Sequence, residues 1–125
     1  MRRTTQFRRL LKDKKLLVAP GAFDGLSARL IERTGFPLIY VTGGGIARSM
    51  GYPDIGLLTM SEVISRVKNI VDVTNIPVLA DADTGYGNAL NVMRAVREFE
   101  AVGVAGIHIE DQITPKKCGH YEGKT

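Results

Sequence analysis

Pro77-Val78-Leu79-Ala80-Asp81-Ala82-Asp83-Thr84-Gly85-Tyr86-Gly87 joins a short apolar run, two aspartates and a glycine loop. The run from Pro77 to Ala80 reads as a buried strand. The aspartates fall where that strand ends, and the glycines free the backbone to turn. On the C-terminal side, Asn88 is placed to begin a helix with Val92, Ala95, Val96 and Phe99 facing inward. Gly103 closes that helix, and Val104-Ala105-Gly106-Ile107-His108-Ile109-Glu110 reads as the next strand. On the N-terminal side, a helix begins at Thr59, with Ser61 also able to cap it. Val63, Ile64, Val67, Ile70 and Val71 supply its apolar face.

The same alternation continues toward the N-terminus. Residues 46 to 58 look irregular, broken by Gly51, Pro53 and Gly56. Leu38-Ile39-Tyr40-Val41 reads as a strand that opens into Thr42-Gly43-Gly44-Gly45, a loop with almost no side chains. Asp24 can cap an earlier helix carrying Leu26, Leu30 and Ile31 on one side, which Gly35 ends. Leu16-Leu17-Val18-Ala19-Pro20 reads as the first strand. Strands alternating with helices predict an α/β fold with parallel pairing. Doubly wound sheets and (β/α)₈ barrels both begin this way, and four strands cannot close an eight-stranded barrel.

Composition narrows the class further. The chain has 125 residues, 44% hydrophobic and 24% charged, the balance of a globular domain. The net charge is +4, much of it in Arg2, Arg3, Arg8, Arg9, Lys12, Lys14 and Lys15, with Lys116, Lys117 and Lys124 as a second group. No basic stripe interleaved with aromatics is visible and there is no Trp, which argues against a nucleic-acid partner. No apolar run approaches the roughly 18 residues that span a bilayer, so no membrane partner is expected. Phe7-Arg8-Arg9-Leu10-Leu11 has amphipathic spacing and predicts a first helix of the fold rather than an organelle presequence. The lone Cys118 forms no internal disulfide and fits a reducing compartment. Cytoplasm is the default location, with a mitochondrial matrix left open.

Chemistry in parallel α/β folds collects at the carboxyl ends of strands. Here those ends carry Thr42 and three glycines, then Asp81 and Asp83, then His108, Glu110 and Asp111. Side chains alternate along a strand, which predicts that Asp81 and Asp83 point one way, as do His108 and Glu110. Gathered carboxylates repel and are costly to bury, and a hard cation such as Mg²⁺ or Mn²⁺ resolves the conflict. The competing reading makes them helix caps or solvated loop carboxylates. Gly43-Gly44-Gly45 lets backbone amides approach an anion, or simply makes a tight turn. In Lys116-Lys117-Cys118-Gly119-His120 the basic neighbours favour a thiolate, or the cysteine is incidental in a basic loop.

These residues resemble the isocitrate lyase and phosphoenolpyruvate mutase superfamily. The resemblance runs from about Val18 to Thr125. It rests on Pro20-Gly21-Ala22-Phe23-Asp24, Tyr40 to Gly45, Gly51-Tyr52-Pro53-Asp54, Asp81 to Gly87 and His108-Ile109-Glu110-Asp111-Gln112. Lys117-Cys118-Gly119-His120 resembles the signature of the lyase branch. The compact spacing through Met50-Gly51-Tyr52-Pro53-Asp54 is more similar to 2-methylisocitrate lyase than to isocitrate lyase.

The resemblance implies a (β/α)₈ barrel of which residues 1–125 are the N-terminal half of a single domain. It implies Mg²⁺, with Mn²⁺ as substitute, held most directly by Asp83, with Asp54, Asp81 and Glu110 acting through water or nearby, and His108 beside the site. Thr42, Gly43 and Gly44 would bind a substrate carboxylate, assisted by Lys117 and Gly119. Cys118 would be the acid/base on a closing loop, joined by Tyr40 near the reacting hydroxyl and by His120. The implied reaction cleaves 2-methylisocitrate to pyruvate and succinate, as in propionate breakdown, in an enzyme that assembles as a homotetramer. Other members of the superfamily, such as isocitrate lyase, dimethylmalate lyase or a phosphoenolpyruvate mutase-like enzyme, are the alternatives, as is a non-catalytic half-barrel. The substrate class is a small hydroxy tri- or dicarboxylate. Residues that clamp its distal carboxylates usually lie in the second half of the barrel, so the 125 residues alone are expected to be inactive and to expose strand edges.

Overall fold

The computed structural model describes residues 1–13 and 15–125. Lys14, counted above in the basic N-terminal group, lies outside the described residues. Four strands form one parallel sheet: β1 (Gly21–Ala22), β2 (Ile39–Val41), β3 (Val78–Asp81) and β4 (Gly106–His108). Five helices accompany them: α1 (Arg3–Lys12), α2 (Gly25–Thr34), α3 (Gly43–Ser49), α4 (Met60–Val73) and α5 (Ala89–Ala101). The spatial order is β1-β2-β3-β4. Sequential order is that of a singly wound barrel, whereas a doubly wound sheet reverses at its switch point.

The core lies between the sheet and the helices. Ile39, Val41, Val78 and Ala80 are fully buried and cluster with Val63, Val67 and Ile70 of α4 and Phe99 of α5. Alternation sends Tyr40 and Leu79 to the opposite face. There α1 approaches: a side chain at Gly106 would meet the Phe7 ring at 2.8 Å and Leu79 at 3.3 Å. Arg3 donates to the carbonyls of Val71, at 3.0 Å, and of Thr74, which tethers α1 to the last turn of α4. The expected first helix is therefore an integral part of the fold.

Local chemistry explains the helix starts. Asp24 and Ser27 form a capping box on α2, and Gly35 ends that helix with φ 97°. Thr59 caps α4, and Asn88 caps α5 through Leu90 and Asn91.

Four expectations need correction. Leu16 to Pro20 is not a strand; only Gly21 and Ala22 pair, and Leu16 is 91% exposed. In α2 the buried residue is Ala28, while Leu26 and Leu30 face outward. In α5, Ala95 and Phe99 are buried but Val96 is exposed. Periodicity located these apolar faces without telling which edge of each meets the sheet. Finally, Gly43-Gly44-Gly45 is no loop but the first turn of α3. The Thr42 hydroxyl accepts from Gly45 N–H at 3.0 Å, and buried Ile46 and Ala47 anchor the helix. Cap and burial together outweigh the poor helix propensity of glycine.

Candidate active site

The carboxyl ends of β2, β3 and β4 meet the segments 50–58 and 110–118 at one edge of the sheet. β3 ends at Asp81, which is 8% exposed. Its carboxylate accepts from Gly43 N–H at 3.2 Å and from Asp83 N–H at 2.9 Å. Both oxygens thus take backbone donors, a way to keep a buried carboxylate satisfied. Asp83 is not on the strand. Its φ of 52° turns the chain, and Tyr86 at φ 63° turns it again. Such conformations are uncommon for side chains other than Gly, Asn and Asp and collect at functional sites. Strand alternation therefore does not account for Asp83, nor for Glu110, which lies beyond β4. They are brought together by pairing that continues past the strands: Ala82 N–H donates to His108 O at 2.9 Å and Glu110 N–H to Asp83 O at 2.8 Å.

Lys116 reaches into the centre of this cluster. Its Nζ lies 2.7 Å from Asp54 Oδ1 and 3.9 Å from Glu110 Oε1, with the side chain only 4% exposed. Burial lowers the ammonium pKa, but hydrogen bonding to Asp54 and the charges of Asp83, Asp54 and Asp81 outweigh it and raise the value. Asp83 shows the opposite imbalance. Burial raises its pKa, only partly offset by Lys116 and the Thr84 N–H, while Asp81 and Glu110 push it up further. Asp83 is thus a carboxylate that a cation would help. A cavity of about 20 Å³ lies between Asp54, Asp81, Asp83 and Lys116, and a cleft of about 450 Å³ opens beside it on Asp83, Tyr86, Arg94 and Lys116.

The donor set suits a hard cation: carboxylate oxygens with space for about one water. Among the described residues no three His, Cys, Asp or Glu side chains approach closely enough to hold an ion unaided. That is compatible with Mg²⁺, which keeps several waters and takes one or two carboxylates directly. The ammonium of Lys116 already shows that the cluster accepts positive charge.

Tyr40 Oη lies 3.2 Å from His108 Nδ1, their rings tilted at 46°. Burial, reinforced by Asp81, Glu110 and Asp54, raises the Tyr40 hydroxyl well above its ordinary pKa, so it keeps its proton. Burial, then Asp83 and Asp81, does the same for Tyr86, which stacks on Phe99. Cys118 is 6% exposed, with Sγ 4.0 Å from Arg48 Nη2. Gln112 braces the loop by donating to Glu110 and to Lys117 O, and by accepting from Lys117 N–H at 3.1 Å.

Of the residues singled out in the sequence, Tyr40, Thr42, Gly43, Gly44, Asp54, Asp81, Asp83, His108, Glu110 and Cys118 gather at this edge. Three do not join them. Lys117 is exposed and its Nζ donates to Gly123 O at 3.2 Å; Gly119 O accepts from Lys124 at 2.7 Å; His120 is exposed. The sequence reading missed Lys116, Arg48 and Tyr86. Nothing distinguishes Lys116 from Lys117 in sequence. Arg48 becomes visible only once Gly44 is placed on a helix, four residues earlier on the same face. Tyr86 had a signal, an aromatic residue between two glycines.

A model of the family described as phosphoenolpyruvate phosphomutase matches residues 7–123. The chain belongs to the phosphoenolpyruvate mutase/isocitrate lyase superfamily. The superfamily's lyases are well represented among its relatives. It is 54% identical to the 2,3-dimethylmalate lyase of Eubacterium barkeri over 99% of this chain and 43% of that protein. It is 48% identical to the 2-methylisocitrate lyase of Aeropyrum pernix over 94% of this chain and 38% of that protein. A crystal structure of 2,3-dimethylmalate lyase superposes with TM-score 0.92 at 42% identity, covering 99% of this chain and 42% of that one. Phosphonopyruvate hydrolase in complex with oxalate and Mg²⁺ superposes with TM-score 0.89 at 36% identity, covering 94% and 41%. The chain therefore spans about two fifths of the length of these superfamily relatives, and its sheet corresponds to the first four strands of their (β/α)₈ barrels. No helix among the described residues is long and apolar enough to cross a membrane.

Proposed function

We propose that the protein is a Mg²⁺-dependent carbon–carbon lyase that cleaves 2-methylisocitrate to pyruvate and succinate. The observation that carries this reading is a buried thiol, Cys118, on the loop that follows β4, two residues from Lys116, which is paired with Asp54 and lies near Glu110 in a half-buried carboxylate cluster. Asp83 would hold Mg²⁺ most directly, with Asp54, Asp81 and Glu110 acting through water and His108 alongside. When bound, Mg²⁺ supplies positive charge to the 2-oxo acid half of the substrate.

The chain's own residues account for the proton movements. A substrate carboxylate would be received by the Gly44 amide and the Thr42 hydroxyl proton, and by the Gly43 amide once it leaves Asp81, since Gly43 N–H donates to Asp81 and Thr42 Oγ1 accepts from Gly45 N–H. Tyr40 takes the substrate's hydroxyl proton while passing its own to His108 Nδ1, so that no free phenolate need form. The bond between the alkoxide carbon and its neighbour then breaks. Its electron pair stays on the succinate half, as a carbanion stabilised by the adjacent carboxylate. The Cys118 thiol protonates that carbanion, giving succinate. Fixed donors in a water-poor site lower the barrier by meeting charge where it develops.

The test is pyruvate release from 2-methylisocitrate in the presence of Mg²⁺ by a chain carried to the length of the relatives, because the 125 residues cover only about two fifths of them. Loss with EDTA, and a fall of about 100-fold or more in Cys118→Ser, is the expected outcome for removal of a general acid. Turnover untouched by Cys118→Ser would overturn the reading. A second reading, 2,3-dimethylmalate as substrate, is favoured by the 54% identity to that lyase. Both substrates release pyruvate, so the co-product decides: succinate for the first, propionate for the second. Glyoxylate from isocitrate would place the protein with the third lyase type.

A further inference from the structure

When the carbon–carbon bond of the substrate breaks, its electron pair enters the half that carries the adjacent carboxylate, and negative charge gathers on those oxygens. The positive charge of Mg²⁺ falls on the other half. Charge developing in a water-poor site is met best by a cation or donor already in place. The proton donor bounds where that carboxylate lies. Cys118 delivers its proton to the carbanion carbon, so that carbon comes within about 3–3.5 Å of Sγ. The carboxylate is one carbon–carbon bond further, which keeps its oxygens within roughly 6 Å of the sulfur.

Of the basic side chains around the thiol, three are spent elsewhere. Lys116 Nζ is bound to Asp54 at 2.7 Å, Lys117 Nζ donates to Gly123 O at 3.2 Å, and Lys124 Nζ to Gly119 O at 2.7 Å. Arg48 is not. Its Nη2 lies 4.0 Å from Cys118 Sγ. Its Nη1 lies 3.0 Å from the point where a side chain on Gly44 would begin. The guanidinium therefore reaches from the bare backbone of Gly44 to the sulfur. The helix sets this direction: side chains lean toward the N-terminus, so Arg48 lies back over Gly44, one turn earlier. No carboxylate pairs with it among the described residues. Arg48 is exposed, so water holds its remaining donors and an anion can take that water's place.

We propose that Arg48 is a substrate-binding residue of the lyase, whose guanidinium clamps the carboxylate of the half that Cys118 protonates. Two parallel N–H donors match a carboxylate bidentately. The charge that gathers there during cleavage then lies against a fixed cation. Once the thiol has given its proton to carbon, the charge rests on sulfur, beside the same guanidinium. The inference rests on the proposed lyase chemistry and not on which hydroxy acid is cleaved. 2-Methylisocitrate, 2,3-dimethylmalate and isocitrate all bear a carboxylate on the carbon that becomes the carbanion.

The test separates the two halves of the substrate. In the chain carried to the length of the relatives and loaded with Mg²⁺, calorimetry measures binding of succinate and of pyruvate. Arg48→Ala should weaken succinate binding about tenfold or more, the worth of a charge-assisted bond, and leave pyruvate binding nearly unchanged. Its kcat/KM for 2-methylisocitrate should fall about 100-fold, with kcat falling as well as KM rising, because the contact strengthens as charge develops. Arg48→Lys keeps the charge without the fork and should lie between Arg48→Ala and wild type. Arg48 is exposed, so neither change empties the core. Propionate replaces succinate as the probe where 2,3-dimethylmalate is the substrate cleaved. Succinate binding indifferent to Arg48→Ala would overturn the inference, as would equal loss of succinate and pyruvate, or a wild type that binds neither succinate nor propionate. A protein whose succinate binding depends on Arg48 but which releases no pyruvate sinks the lyase reading and leaves the carboxylate site standing. A lyase untouched by Arg48→Ala does the reverse.

Discussion

Gly43 and Gly44 mark how closely the acidic cluster is fitted to the backbone beneath it. A Cβ on Gly43 would lie 2.7 Å from Asp81 Oδ2, and one on Gly44 would lie 2.8 Å from Asp54 Oδ2. Neither glycine is among those with positive φ, so crowding alone is at issue. Gly43→Ala should force Asp81 off its Gly43 N–H bond and cost about 1–3 kcal/mol, the usual range for overpacking. Urea denaturation measures the loss, and weakened Mg²⁺ binding by calorimetry should accompany it. Unchanged stability would mean that Asp81 has room to move. At this level the sequence was legible wherever residue type alone carries chemistry. Asp81, Asp83 and Glu110 stood out because gathered carboxylates are costly to bury without a partner, whereas Cys118, on the loop beyond β4, was singled out only by the resemblance carried by Lys117 to His120. Lys116 was illegible because two adjacent lysines differ only in which way the loop turns.

The capped helices show what short motifs secure. Asn88 accepts from Leu90 N–H at 2.9 Å and Asn91 N–H at 3.2 Å. Asn88→Ala should cost about 1 kcal/mol, the usual value of an N-cap, measured by denaturant titration. In α2 the cap is charged. The Ser27 N–H, then the Ser27 hydroxyl, lowers the Asp24 pKa, with Arg66 assisting. A carboxyl lowered in the folded state adds stability that is complete above the ordinary carboxylate range and is lost as pH falls through that range toward the lowered value. Asp24→Asn keeps an acceptor and should flatten the acid side of the melting-temperature profile while leaving the neutral plateau nearly in place. An unaltered acid limb would assign the acid sensitivity to other carboxylates. Caps on α2, α4 and α5 were readable because Asp, Thr and Asn sit directly before apolar periodicity. α3 was not, because three glycines oppose helix formation and only Thr42 hinted at it. The first strand was overread, since an apolar run reports burial potential and not a pairing partner.

Across the whole chain, alternation of strand and helix was enough to predict a parallel α/β sheet of four strands. The order β1-β2-β3-β4 was not readable, because it depends on which strands pair. That order leaves β1 bonded only to β2 and β4 only to β3. Leu26, Leu30, Leu90 and Met93 add exposed apolar surface on α2 and α5. Unpaired strand edges beside apolar surface recruit further chain. The 125 residues expressed by themselves should self-associate, as analytical ultracentrifugation would show, and should lack lyase turnover. A well-behaved monomer at high concentration, or turnover by these residues alone, would contradict this.

The fit at the glycine turn reaches beyond one molecule. Because the carboxylate oxygens of Asp81 and Asp54 lie where side chains at 43 and 44 would begin, neither position can drift by itself. In any lineage descended from this sequence, an alanine or serine at 43 should appear only together with a change at 81, and a change at 44 only with one at 54 or 48. The turn and the acids opposite it are thus a single heritable unit.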